Sequence, residues 1–166
     1  MKIILCPNPF RDKGLKAAYQ AQRILSAAGA KTEYCFPFPV EKSNIGDIDP
    51  SIKIKEMKTE LPDADFLVCF GGDGTILHAA KDASSFGVPI VGVNMGSVGF
   101  MAELEQGELS DLTRLVSGEY TLENRMLLDV RVIREGRVIF RSTALNDAVI
   151  TKGAVARVID LQVYGD

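Results

Sequence analysis

Residues 63–77 read DADFLVCFGGDGTIL, and the fold is decided there. Phe66 to Phe70 is apolar throughout, as a strand buried on both faces must be. It opens directly into Gly71-Gly72-Asp73-Gly74-Thr75, after which Ile76, Ala79, Ala80 and Ala83 recur at the spacing of one helix face. Strand, glycine turn and helix in that order make one unit of a parallel α/β sheet. The turn then lies at the carboxyl end of the strand, where open α/β sheets bind ligands.

Working outward, the same alternation repeats on both sides. Ile3 to Cys6 reads as a strand, and Ala17, Ala21, Ile24, Leu25 and Ala28 fall at helical spacing before Gly29, a C-terminal glycine. Thr32 to Phe36 and Pro89 to Val93 are further apolar runs. Leu109, Leu112, Leu115 and Val116 predict another helix ending at Gly118. Residues 1–122 are therefore expected to form a doubly wound parallel α/β domain. Pro37 to Pro62 fits this scheme worst, because so long a connection is unusual in a compact domain; Ile52 to Leu61 within it predicts a short polar helix.

From Met126 the period changes to two. Leu128, Val130 and Val132 alternate with polar residues, Glu135-Gly136 offers a turn, and Val138 and Phe140 resume the pattern before Leu145. Ile159, Leu161 and Val163 alternate again. Residues 123–166 are thus expected to begin an antiparallel β domain of three or four strands, an incomplete β-sandwich whose apolar face needs a second layer. The sequence stops at Tyr164-Gly165-Asp166, directly after the last of these runs, so either the first domain or another chain covers that face, or the chain is the front part of something longer.

Composition limits the function. The chain has 166 residues and 46% hydrophobic content, enough for a real core. Its 19 basic residues against 22 acidic leave no electrostatic footprint for nucleic acid or an anionic membrane. Cys6, Cys35 and Cys69 are widely spaced, each in a strand-like run, which suits reduced, buried thiols and a cytoplasmic protein. The opening MKIILCPNPF is too short in apolar residues for a signal peptide or membrane span.

The glycine turn matches neither familiar phosphate loop. No lysine follows the glycines as a P-loop requires, and Leu77 stands where the dinucleotide fingerprint needs its third glycine. What remains is a turn whose glycines allow positive φ and bring backbone N–H groups close to an anion, with a helix N-terminus behind them. An aspartate there repels phosphate unless it has another task. Asp73 could hold Mg²⁺ that bridges phosphates, accept a proton from an attacking hydroxyl, or cap the helix. In phosphoryl transfer a carboxylate set on the acceptor hydroxyl is useful, since catalysis there is mostly positioning and charge management.

Three motifs in order now carry a resemblance. GGDGT at 71–75, Asn94-Met95-Gly96-Ser97-Val98-Gly99-Phe100 after the next strand, and Asn146-Asp147 in a later β segment resemble the NAD kinase family. GGDG alone is shared with phosphofructokinases and with diacylglycerol and sphingosine kinases; the ordered set is far more specific. The resemblance implies phosphorylation of the adenosine 2′-hydroxyl of NAD to give NADP, with ATP or polyphosphate as donor and Mg²⁺ on the donor phosphates. It implies Asp73 as general base and Gly72, Gly74 and Thr75 along the phosphates. Asn94, Gly99 and Phe100 match the second loop, where a tight turn held by glycines is an equal reading for all but Phe100. Asn146 and Asp147 match the pair that bonds the ribose and adenine of NAD. His78, one helical turn beyond Thr75, and Arg157 match basic positions near the ligand; exposed surface residues are the equal reading for both. A homodimer or homotetramer is also implied.

Val98 and Met101 stand where leucines are usual in the family, and the family's C-terminal part, which helps bind NAD, has no counterpart here. Two other readings follow: another kinase of the same superfamily, acting on a lipid or sugar, and a non-catalytic nucleotide-binding fragment. On the leading reading Asp73→Asn keeps shape and removes the base, so turnover falls while stability hardly changes.

Overall fold

The computed structural model describes residues 1–41, 48–96, 99–151 and 160–165. They form two compact units, Met1–Met126 and Leu127–Asp166, the division falling four residues beyond the expected 122/123.

The first unit is a parallel sheet of six strands: β1 (Lys2–Pro7), β2 (Lys31–Cys35), β3 (Ile54–Lys55), β4 (Phe66–Gly71), β5 (Ile90–Asn94) and β6 (Leu104–Glu105). Their spatial order is β3-β2-β1-β4-β5-β6, every neighbouring pair parallel. This is the doubly wound arrangement, with strand order reversing between β1 and β4.

Alternate side chains of the central strands feed two separate cores. Ile3, Leu5, Phe66, Val68 and Phe70 face α1 (Lys16–Ala27) and the helical segment Gln106–Ser117. Ile4, Cys6, Leu67 and Cys69 face α2 (Met57–Glu60) and α3 (Asp73–Phe86). Burial on both sides is why these runs are apolar without alternation. Leu25, Leu67 and Phe70 are fully buried.

The three thiols line one face of three neighbouring strands. Cys6 pairs in register with Cys69, and Cys35 lies on β2 in the same core. All are free and buried; burial raises the Cys6 thiol well above its usual range and pushes Cys35 up to about 12. Such thiols are inert packing groups.

Sequence and structure part company in four places. Ile52 to Leu61 is not one helix: it splits into β3, the four-residue α2 and a 3₁₀ turn, Leu61–Asp63, because Ile54 and Lys55 find the free edge of β2. The helix expected through Leu109 and Val116 is 3₁₀ over Gln106–Leu112 and only then α4 (Thr113–Ser117), with a break at Glu108. The turn glycines Gly71, Gly72 and Gly74 do not take positive φ; Gly72 is extended at φ −115°. Among the described residues of the second unit only β7 (Leu128–Arg134) and β8 (Arg137–Ala144) pair, around Glu135 and Gly136 at φ 50° and 74°, the left-handed two-residue turn of a hairpin. Residues 160–165 form no strand, although the alternation continues there, and Ile159 lies outside the described residues. Alternation signals a strand only where a partner edge supplies the hydrogen bonds.

At the β1–β2 edge Lys2 is nearly buried and its ammonium meets Glu60 (2.8 Å) and Asp63, while Lys55 joins Glu33 and Glu60. Hydrogen bonding to Lys2 holds the Glu60 and Asp63 carboxyls below their ordinary values. A depressed carboxylate pKa stabilises the fold above the unfolded value, and the contribution is lost as pH falls through the folded one. Acidification below about pH 4 should therefore lower the urea midpoint of the native chain more than that of Lys2→Met. Parallel loss in the two proteins would contradict this linkage.

Candidate active site

Strand β4 ends at Gly71, Gly72 caps α3, and Asp73 is the first residue of the helix. Asp73 is thus not the N-cap, and the helix begins two residues earlier than Thr75. Its carboxylate turns away from the helix axis. Oδ2 accepts the N–H of Phe100 (3.2 Å) and Oδ1 that of Met101 (3.1 Å), both on the loop after β5. Gly99 makes this possible: a Cβ there would fall onto the Asp73 carboxylate, 3.1 Å from its Cγ and closer still to Oδ1. The second loop therefore aims the aspartate of the first.

The other glycines have distinct tasks. A Cβ on Gly71 would strike the Thr75 side chain, so Gly71 lets the helix start close over its strand. Gly92 is similar in β5, since a Cβ would come within 2.6 Å of Ile76 Cδ1 and 2.9 Å of Ala102 Cα. A Cβ on Gly72 or on Gly74 would meet no described atom within 4 Å. Their missing side chains leave open approach to the backbone, as an anion site at a helix N-terminus requires. Close access, not left-handed backbone, is what these glycines supply.

The second loop is built by a buried amide. Asn94 is 4% exposed; its Nδ2 donates to Glu105 Oε1 (3.1 Å) and its Oδ1 accepts the Gly96 N–H (3.2 Å). Met95 N–H donates to Gly71 O (2.9 Å), tying the two loops together. Glu105 also forms a capping box with Glu108 on the following 3₁₀ helix. Asn94 is thus spent on shaping the loop, the turn reading of that motif.

Thr75 is buried, and its Oγ1 accepts from Asn8 Nδ2 (3.0 Å) at the end of β1. Phe100 contributes its backbone N–H while its ring is 95% exposed. His78 is exposed on the second turn of α3, its ring edge-on to Phe38 with centroids 5.3 Å apart. Gly72, Asp73, Gly74, Thr75, His78, Asn94, Gly99 and Phe100 thus share the carboxyl end of the sheet. Asn146 and Asp147 belong to the second unit, in an exposed bend after β8 and not in a strand, where Asn146 Nδ2 donates to Asp147 Oδ2 (3.0 Å). Arg157, like Ser97 and Val98, lies outside the described residues.

Sequence reasoning missed Asn8, Phe10, Arg11 and Asp12. The signal was present: they follow β1 as the glycines follow β4, so the rule that made one loop a candidate applied equally to the other.

The geometry can be set beside known proteins. The description ATP-NAD kinase N-terminal domain matches residues 3–120. The chain belongs to the NAD kinase family. The NAD kinase of Acetivibrio thermocellus is 32% identical over 165 residues, covering 99% of this chain and 55% of that protein. That of Syntrophotalea carbinolica is 45% identical over 103 residues, 61% of this chain and 36% of that one. The crystal structure of yeast NADH kinase complexed with NADH superposes with a TM-score of 0.64 at 17% identity, over 87% of this chain and 46% of that chain, a likeness of fold. The chain spans about half the length of the full-length curated relatives it matches.

Two substitutions separate aim from access. Gly99→Ala should displace the Asp73 carboxylate and destabilise the fold by about 1–3 kcal/mol, whereas Gly72→Ala should leave the unfolding midpoint unchanged and weaken phosphate binding. Asp73→Asn is not silent for stability, since its NH₂ must face one of the two N–H donors; a loss of about 1 kcal/mol is expected. Denaturant midpoints of the three variants check this ordering.

Proposed function

We propose that the chain carries the phosphoryl-transfer site of an NAD kinase, moving the γ-phosphoryl of ATP, or of polyphosphate, to the 2′-hydroxyl of the adenosine ribose of NAD. The observation that carries it is the Asp73 carboxylate, fixed by the Phe100 and Met101 N–H groups beside the open backbone of Gly72 and Gly74. In this role the open glycines and the first turn of α3 receive donor phosphates, and Thr75, held by Asn8, backs that turn. Asp73 accepts the proton of the ribose hydroxyl as its oxygen attacks phosphorus. Two N–H donors pin the carboxylate and leave its remaining lone pairs for that proton. Asn146 and Asp147 would bond the NAD ribose and adenine, and His78 the ligand passing over α3.

Among the described residues no group of three or more His, Cys, Asp or Glu is placed to hold a metal ion. Mg²⁺ would arrive on the donor phosphates, since this cation is commonly held by substrate phosphates. Bound there, Mg²⁺ would neutralise charge on the donor. Reduced, buried thiols suit a cytosolic setting, and no helix among the described residues is long and apolar enough to cross a membrane. Pairing of the exposed hairpin edges of β7 and β8 between copies would give the homodimer or homotetramer.

The test is NADP formation from NAD, ATP and Mg²⁺ by the purified chain and by Asp73→Asn. Turnover that drops by about 10²–10⁴ in the variant is expected. Undiminished turnover would remove Asp73 from its role, and phosphorylation of a sugar or lipid in preference to NAD would overturn the acceptor.

A further inference from the structure

Beside α3 lies a pair of rings that the kinase reading leaves unused. Phe10, on the loop after β1, stacks on Phe38, on the loop after β2, with centroids 6.2 Å apart and planes 9° from parallel. Phe38 in turn meets His78 of α3. Phe10 is 52% exposed, so a flat aromatic surface stands open at the carboxyl edge of the sheet.

The loop that presents it is rigid. Asn8 N–H donates to Phe70 O (2.9 Å), Asn8 Oδ1 accepts the Phe10 N–H (3.0 Å), and Asn8 O accepts from Arg11 and Asp12. Asp12, 1% exposed, accepts the N–H groups of Ala17 and Ala18 (both 2.9 Å) and so anchors the far end to α1. Arg11 projects from this loop across the end of β4, its Nη1 3.7 Å from where a Cβ on Gly96 would sit. Because β4 lies between β1 and β5, Arg11 reaches from the loop on one side of β4 to the loop on the other. Flat rings leading to a cation and open backbone N–H groups complement a base joined to phosphates.

We infer that Phe10 and Phe38 form the platform for the base of the phosphoryl-donor nucleotide, with Arg11 on its phosphates; the assignment rests on the kinase reading. Strand order decides donor over acceptor. The loop holding Asp73 follows β5, on one flank of the glycine turn, whereas the rings follow β1 and β2, on the other. A nucleotide whose base lies on the rings brings its phosphates to Gly72, Gly74 and the Arg11 guanidinium, leaving the Phe100–Met101 end of the β5 loop, beside Asp73, for the acceptor hydroxyl.

The test compares binding of ATP and of inorganic tripolyphosphate, each with Mg²⁺, by calorimetry on the native chain, Phe10→Leu/Phe38→Leu and Arg11→Gln. Leucine preserves apolar bulk, and unchanged unfolding midpoints verify the fold. The double variant should bind ATP about tenfold or more weaker, the magnitude of a lost base stack, with tripolyphosphate unaffected, and Arg11→Gln should weaken both ligands. ATP binding unchanged in the double variant, or both ligands weakened equally by it, would overturn the platform while leaving the kinase reading intact. Failure of the native chain to bind either ligand would overturn both.

Discussion

The site depends on one bidentate contact, the Asp73 carboxylate accepting the N–H groups of Phe100 and Met101. It joins the turn after β4 to the loop after β5, which otherwise touch through the Met95–Gly71 backbone bond. Charge-assisted bonds of this kind are stronger than neutral ones and fix an acceptor in a narrow range of directions. The contact requires glycine at 99, because any side chain would occupy the place of the carboxylate. Loop shape, glycine placement and aspartate orientation are therefore one constraint seen from three residues.

Around it the doubly wound sheet supplies what a loop alone cannot. Parallel strands bring the ends of β1, β4 and β5 to one edge, and the two cores pin the helices that follow them. Asn8 spans from β1 to Thr75, Asn94 folds the β5 loop back through Glu105, and Asp12 secures α1. These three side chains are each committed to protein partners and not left to solvent. Ordering these segments before a ligand arrives lowers the entropy cost of binding.

The motif residues divide into two kinds on this view. Gly72 and Gly74 are open to an incoming group, whereas Gly71, Gly92 and Gly99 are pressed against protein atoms. Asn94, which reads in the sequence as a ligand residue or a turn residue with equal force, is buried and fully engaged with Glu105 and Gly96. The same letters in a motif thus serve access at some positions and assembly at others.

Local sequence alone determined the strands β1, β2, β4 and β5, the helices α1 and α3 and the β7–β8 hairpin, because continuous apolar runs, helical spacing and a Glu-Gly turn are effects of near neighbours. It also singled out Asp73 and its glycines, since four small or polar residues in a row between strand and helix have little other use. Only the tertiary structure decided that Ile54 and Lys55 add an edge strand, that residues 160–165 do not, and that Asp73 faces Phe100 and Met101 and not its own helix. It alone stacked Phe10 on Phe38 and brought Arg11 to Gly96. These outcomes depend on which strand edge or N–H donor lies across the fold, at separations of tens of residues that no local period encodes.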